Sequence, residues 1–386
     1  MASTSGLDSP RQKPVLVFLV TQDWYFMSHR VPMARAARAA GYDVHVITHV
    51  DKDGGAIEAL GFRVHPMNWR RGSLSPFALF VNIRAVRHLY REITPDLVHH
   101  VALRPTIAGS FAAAGLPCAR LNAVAGLGFV FTSETLKARL VRPLFRIVLR
   151  SVLGNTRAAV LVQNPDDRAA IKTLGIADDR IFTIAGSGVE TDKFMPLPEP
   201  PDPLTMAFVG RLLDDKGVRT LINSHEILAR RGQPVRLLIA GEPDPANPVS
   251  IPMEEIREWS RRPGIEVLGQ VSDIGKVWEA AHIAVLPSRR EGLPKSLLEA
   301  AAFGRPIVAT DVPGCREIAR QGINALLVPP DNADALADAI ARLANDKDLR
   351  RKFGEAGRRL VESEYSAERV GANIVALYDR LLGRKR

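Results

Sequence analysis

Glu291 and Glu299 are two carboxylates in the segment Pro-Ser-Arg-Arg-Glu-Gly-Leu-Pro-Lys-Ser-Leu-Leu-Glu-Ala at 287–300. The apolar run at 281–286 predicts a buried strand. Gly292 permits a sharp turn, and Pro294 suits the first position of a helix. Glu291 then lies on a loop and Glu299 on the second turn of the helix after it. Carboxylates at a strand-to-helix junction accept hydrogen bonds from paired hydroxyls, and sugars and ribose are rich in such pairs. The free N–H groups of the helix start suit a phosphate. The segment, with Ser288, Gly292, Leu293 and Pro294, is therefore suited to the sugar, ribose and phosphate of a nucleotide sugar.

A second group stands near the middle of the chain. The apolar run at 206–209 predicts a strand, followed by Gly210, Arg211, Lys216 and Gly217. Two cations between a strand end and a helix start suit a diphosphate. Each one alone also reads as a solvated loop cation.

These residues need a frame. Apolar strands are predicted at 15–20, 44–48, 97–101, 120–124 and 159–162, with helices at 32–40, 76–93 and 136–153. The alternation predicts a parallel sheet with helices on both faces. The proline-rich stretch 196–203 reads as a stiff linker. A second strand series follows at 205–209, 236–240, 266–268, 283–286, 307–309 and 325–328. The expected fold is α/β, with two doubly wound Rossmann-like domains, 14–195 and 204–365, facing across a cleft. Residues 1–13 read as a disordered tail. Ligands of such sheets bind beyond the carboxyl ends of the strands.

At 386 residues, 46% apolar and 24% charged, the chain has the size and composition of a soluble two-domain protein. Cys118 and Cys315 have no metal-type spacing and fit a reducing cytoplasm. No apolar run approaches the ~18 residues of a membrane span, and 15–20 is too short for a signal sequence. The net charge of +10 is uneven: residues 1–200 hold 24 Lys and Arg against 16 Asp and Glu, and residues 201–386 hold 28 against 26. A basic first half suits nucleic acid, an anionic membrane face or a lipid diphosphate; a merely soluble basic surface is the plain alternative. Arg139, Arg142, Arg146 and Arg150 fall within an arc of ~80° on a helix of ~100° per residue. They stand among Leu140, Leu144, Phe145, Ile147 and Val148, as on a helix lying on an anionic membrane surface. A half-buried helix with a solvated Arg edge, interrupted at Pro143, is the alternative. Trp69-Arg70-Arg71 and 77–80 add aromatic and basic character.

The Glu-x7-Glu segment, the stretch Gly-Arg-Pro-Ile-Val-Ala-Thr-Asp-Val-Pro-Gly at 304–314 and Gly-Arg-Leu-Leu-Asp-Asp-Lys-Gly at 210–217 together resemble the retaining glycosyltransferases of family four. The resemblance covers roughly residues 14 to 380 and implies the glycosyltransferase-B fold, with helix 366–386 returning to the first domain. It implies a hexosyltransferase in which Arg211 and Lys216 neutralise the leaving diphosphate, Glu299 binds ribose and Glu291 faces the donor sugar. The acceptor attacks on the face from which the diphosphate leaves, so Glu291 is not a covalent nucleophile. The base site is implied near Gly241-Glu242 and 270–274; Asp273 equally reads as the N-cap of the helix after it. No cofactor or metal is expected beyond a UDP-sugar co-substrate. The stretches 99–105 and 122–133 look similar to bacterial enzymes that add N-acetylhexosamines to polyprenyl-diphosphate sugars, with alpha-1,3-N-acetylgalactosaminyl transfer the specific activity suggested. That implies a lipid-linked acceptor, polysaccharide or glycan assembly, and a cytoplasmic protein peripherally bound to the inner face of the plasma membrane.

In the first half, His99 and His100 end a strand and are read as acceptor or sugar contacts, with a satisfied core histidine the equal alternative for either. Their side chains point to opposite faces. Arg104 is read as a ligand for an acceptor phosphate. The loop 21–30 carries Trp24, Tyr25, Phe26, His29 and Arg30 but lacks the Gly-Gly of many family members. His29 is counted among the acceptor or sugar contacts. The glycine-rich loop 122–129 reads as an acceptor wall or an ordinary turn. Asp51-Lys52-Asp53 has the form of a metal-binding Asp-x-Asp but sits in a Gly-rich turn and is read as that turn. No Gly-x-Gly-x-x-Gly follows the first strand, which disfavours a nicotinamide enzyme. The rival functions are a UDP-sugar epimerase on the same fold and a non-catalytic nucleic-acid-binding protein, the latter supported by no motif, so no nucleic-acid partner is expected.

Overall fold

A computed structural model describes residues 13–69, 76–124 and 136–384. Two parallel sheets form. The first has seven strands in the order β3-β2-β1-β4-β5-β6-β7: β1 Val15–Gln22, β2 Asp43–His49, β3 Arg63–Pro66, β4 Leu97–Val101, β5 Ala119–Ala123, β6 Ala158–Val162 and β7 Ile181–Thr183. The second has six in the order β10-β9-β8-β11-β12-β13: β8 Thr205–Val209, β9 Arg236–Ala240, β10 Ile265–Gly269, β11 Ile283–Leu286, β12 Ile307–Thr310 and β13 Ala325–Val328. The ladders joining β1 to β6 and β8 to β13 run parallel.

The strands form where the apolar runs predict them because helices cover both faces. Leu16 to Val20 are wholly buried on alternating sides, which an unbroken apolar run satisfies and a half-polar strand would not. Helices at Pro76–Ile93 and Leu136–Leu153 match their expected bounds. The strands β3 and β7, each at a sheet edge, carry too few apolar residues for the sequence to betray them. Loop 21–30 is a correction: β1 runs to Gln22 and a helix follows at Asp23–His29.

The compact units are Met1–Val162 with Arg168–Phe182 and Gly371–Arg386, and Gln163–Asp167 with Thr183–Val370. The last helix, Ala367–Leu381, thus gives most of its length to the first unit, where its Tyr378 and Asp379 bond His99 and Tyr42. The expected linker 196–203 falls inside the second unit. Arginines tie it there. Arg305 Nη2 donates to Pro198 O at 3.0 Å, and Arg350 grips Glu199 with Nε at 2.7 Å and Nη2 at 3.2 Å. Proline removes backbone donors but leaves carbonyls for such cations to take.

Candidate active site

In the second sheet, the chain leaves β8 toward β9 on one side and β11 toward β12 on the other. Such a reversal leaves a crevice beyond the carboxyl ends of the two strands. The segments 210–217 and 287–294 issue from those ends. Gly217, at φ 69°, ends a single 3-10 turn, Asp214–Lys216, and opens the helix Val218–Arg230. A Cβ at Gly217 would stand 2.0 Å from the Pro287 carbonyl oxygen, so only glycine lets the two segments lie together. Arg289 N donates to Asp215 O at 2.8 Å across the same seam.

That packing brings two of the expected catalytic residues into contact. Lys216 Nζ donates to Glu291 Oε1 at 2.5 Å, with side chains 22% and 9% exposed. Ser288 Oγ donates to the same oxygen at 2.7 Å. Ser288 is fully buried, and its carbonyl accepts from Thr310 Oγ1 at the end of β12. Oε2 of Glu291 has no bond among the described residues and remains an acceptor for an incoming hydroxyl. Glu299 lies on the helix Lys295–Ala302, 6% exposed, with Oε1 3.2 Å from Lys295 Nζ. Burial pushes its carboxyl above the usual range while Lys295 and Lys193 pull it back. Arg211 donates to the buried Asp244 at 2.9 Å. Gly210 is the first residue beyond β8 and donates to Ala240 O at 3.0 Å. Leu293 is buried, and Pro294 precedes the helix as its cap residue rather than entering it. A polyanion in this crevice would meet two cations whose present partners are carboxylates.

Asp273 is spent elsewhere. It caps the helix Ile274–Glu279, accepting from Gly275 N at 3.1 Å, so the N-cap alternative is the one realised.

Three neighbours of the Glu291 loop were not legible. Asn164 is fully buried and donates to Gly292 O at 2.9 Å and to Asp167 Oδ2 at 3.1 Å. Arg290 is half-buried, with Asp167 and Asp215 opposing the downward pull of burial on its guanidinium. Gly314 has φ 81°, and a Cβ there would lie 2.4 Å from Gly292 O. The Asn-Pro pair at 164–165 marks a helix N-cap in sequence, which Asn164 is for Pro165–Lys172, but nothing in the sequence indicates its bond to Gly292.

The first sheet repeats the reversal at β1 and β4. There, of the two readings of the histidines, the core one is realised. His99 and His100 are both 0% exposed. His99 Nδ1 pairs with Tyr378 Oη at 2.7 Å and its ring lies 5.0 Å from that of Phe18. His100 donates from Nδ1 to Asn122 Oδ1 at 2.7 Å, so Nε2 accepts from the Tyr90 hydroxyl at 3.0 Å. Burial lowers both imidazoles, His100 to about 4. They are neutral core residues without surface to offer a sugar. Arg104 and His29 remain partly exposed; His29 stacks on Tyr25 at 4.4 Å and pairs with Ser28 Oγ at 2.6 Å. Asp51-Lys52-Asp53 is the expected turn: the three backbone N–H groups converge on Oδ2 of the buried Asp23 at 2.8, 3.0 and 2.8 Å.

Trp69 is buried, against its expected place on a surface patch. Arg70, Arg71, most of the glycine-rich loop 122–129 and the side chain of Arg139 lie outside the described residues. Phe77, Phe80, Leu144 and Ile147 are 77, 55, 63 and 66% exposed. Arg146 and Arg150 are exposed on the helix that carries Leu144 and Ile147. Among the described residues no helix is long and apolar enough to cross a membrane.

Comparison with known proteins agrees with this architecture. A family described as "Glycosyl transferase 4-like" matches residues 15–156, and one described as "Glycosyl transferases group 1" matches residues 203–346. The N,N'-diacetylbacillosaminyl-diphospho-undecaprenol alpha-1,3-N-acetylgalactosaminyltransferase of Campylobacter jejuni is 26% identical over 92% of this chain and 98% of its own length. The UDP-Gal:alpha-D-GlcNAc-diphosphoundecaprenol alpha-1,3-galactosyltransferase of Escherichia coli is 23% identical over 70% of this chain and 73% of its own. Among solved structures, sucrose-phosphate synthase from Thermosynechococcus elongatus superposes with a TM-score of 0.81 at 21% identity, covering 96% of this chain and 100% of that one. The fold is the glycosyltransferase-B fold, and with one family matched in each half the chain belongs to the group 1, 4-like glycosyltransferases.

Proposed function

We propose that the chain moves a sugar, an N-acetylhexosamine, from a UDP-sugar to a polyprenyl-diphosphate-linked glycan with retention of anomeric configuration. The observation that carries this reading is the contact of Lys216, Glu291 and Ser288 at the crevice beyond β8 and β11, with Glu299 buried on the next helix. Lys216 and Arg211 exchange their carboxylate partners for the donor diphosphate. Glu299 takes the ribose hydroxyls, and Oε2 of Glu291 takes a hydroxyl of the sugar. The bond from the anomeric carbon to the diphosphate breaks as the acceptor hydroxyl bonds to that carbon on the same face. The acceptor proton passes to the departing diphosphate. Catalysis is then charge neutralisation and positioning, without a protein acid or base.

The lipid-linked acceptor rests on the names of the two relatives, and UDP on that of the second. The exposed apolar side chains and arginines of the first unit suit an anionic membrane, where such an acceptor resides. The test is a transfer screen with UDP-, GDP- and ADP-sugars in EDTA, with and without polyprenyl-diphosphate-linked sugars. UDP release that rises with the lipid-linked acceptor, and an α-linked product from an α-linked donor, is the expected result. Interconversion of donor sugars without UDP release would establish the epimerase instead.

A further inference from the structure

The amino ends of β11 and β12 lie at the opposite edge of the second sheet from the Lys216–Glu291 contact. His282 and Pro306, which precede those strands, line a cavity of about 570 Å³ there. That volume lies within the ~300–1,000 Å³ of small-molecule sites. Six cations line it, Arg305, Lys347, Arg350, Arg351, Arg358 and Arg359, against two carboxylates, Glu199 and Glu355. The acids are already engaged. Glu199 is held by two nitrogens of Arg350. Glu355 is shared between Arg351 at 3.4 Å and Arg359 at 3.9 Å.

Two cations stand out. Arg305 is 2% exposed; it spends Nε on Trp278 O and Nη2 on Pro198 O and leaves Nη1 without a partner among the described residues. Burial pulls its guanidinium down to about 10, and Glu199 and Glu279 only partly oppose that. Nη1 is not sealed in the core, so this otherwise buried cation presents a free donor to the cavity. Lys347, exposed at the rim, has no hydrogen bond or ion pair among the described residues. The wall between them is apolar, made by Leu197, Pro198 and Pro306.

We propose that this cavity is a second ligand site that takes a phosphorylated small molecule. Its phosphate lies between Arg305, Lys347 and Arg351, and its body lies against Leu197, Pro198 and Pro306. The site has a mechanical link to the donor segment. The helix Lys295–Ala302 carries Lys295 and Glu299 and ends beside Gly304 on the cavity wall. Arg358, also on the wall, holds the last carbonyl of that helix, Ala302 O, at 2.9 Å. An occupant that shifts this wall therefore shifts the helix bearing Glu299.

The proposal does not depend on the assignment of Lys216 and Glu291, and a binding measurement tests it alone. Hydrogen–deuterium exchange of the full chain would be followed with and without millimolar inorganic pyrophosphate at constant ionic strength. Slower exchange in peptides covering 196–203, 304–306 and 347–359 is expected, whether or not 210–217 and 287–300 also respond. The double variant Lys347→Glu/Arg351→Glu changes only exposed rim residues, and its thermal unfolding would confirm the fold. It should weaken that protection by about tenfold in pyrophosphate concentration, or some 1.4 kcal/mol. Protection confined to 210–217 and 287–300, no protection at all, or protection unchanged in the variant would each overturn the proposal.

Discussion

The two sheets make the same topological reversal and fill it in opposite ways. Beyond β8 and β11 the chain places lysines, an arginine and carboxylates, partly buried and paired with one another. At β1 and β4 it places two neutral histidines sealed in the core and an aspartate consumed by three backbone N–H groups. The difference lies in what the side chains still have to give. Glu291 keeps an open oxygen, whereas His100 spends both ring nitrogens, the Nε2 that His99 leaves unpaired is sealed from any ligand, and Asp23 accepts four N–H groups in all. Repeating a topology repeats the place where a ligand can sit; the chemistry depends on which polar groups are left unspent there.

The largest break in that contrast comes from Lys216→Ala. It removes one of the two cations proposed to carry the diphosphate charge, and transfer should fall by about 10²–10³-fold, the range for losing one charge-stabilising donor. Stability should fall by about 1–3 kcal/mol, the range for leaving a buried group short of a donor, with the fold kept and Ser288 still serving Glu291. Transfer at the wild-type rate in this variant would remove Lys216 from the mechanism. Acid sharpens the other side. The folded chain keeps His100 neutral to about pH 4, against an ordinary value of 6.5, while the unfolded chain protonates it. The unfolded state therefore binds more protons between those values, and stability is lost as pH falls through that window. His100 alone accounts for about 3 kcal/mol, and His99 acts in the same direction. Urea midpoints from neutral pH down to pH 4 check this. A flat profile would mean that the histidines are not the sealed core groups described.

The legible parts of the molecule are those fixed by local rules. Unbroken apolar runs such as 15–20 and 283–286 declare buried parallel strands, and Gly217 sits where a close turn needs it. Glu291 and Lys216 could each be singled out because each follows a strand of one sheet, but their contact with one another was not legible. The histidines could not be placed, because alternation along β4 is silent when both faces are buried. The linker 196–203 misled for a related reason: its prolines announce stiffness, but the arginines that bind it lie at 305 and 350. Long-range partners of loop carbonyls leave no periodic trace.

Asn164 tests whether the charged crevice depends on such a partner. Asn164→Ala leaves Gly292 O and the Asp167 carboxylate short of a donor in a buried place, at a cost of about 1–3 kcal/mol. Donor affinity should weaken with it, because the loop carrying Glu291 loses its tether. A melting point and donor affinity equal to wild type would show that the bond does not hold the loop.

The smallest effect is expected at Ala102, where β4 ends in the quieter of the two reversals. Its φ of 73° and ψ of 170° belong to a region almost reserved for glycine. Holding alanine there costs on the order of 1–3 kcal/mol, and glycine would give back roughly 0.5–1 of that through its freer unfolded chain. Ala102→Gly should therefore stabilise the protein by about 1 kcal/mol in urea unfolding. Its consequence for transfer sharpens the comparison further. Arg104 is the second residue of the helix that this strained residue caps, so a stabilised variant with unchanged transfer would mark the strain as incidental. A stabilised variant with slower transfer would mean that the chain keeps an unfavourable backbone at β4 to aim Arg104, and that the first reversal, poor in free charge, still contributes to the reaction.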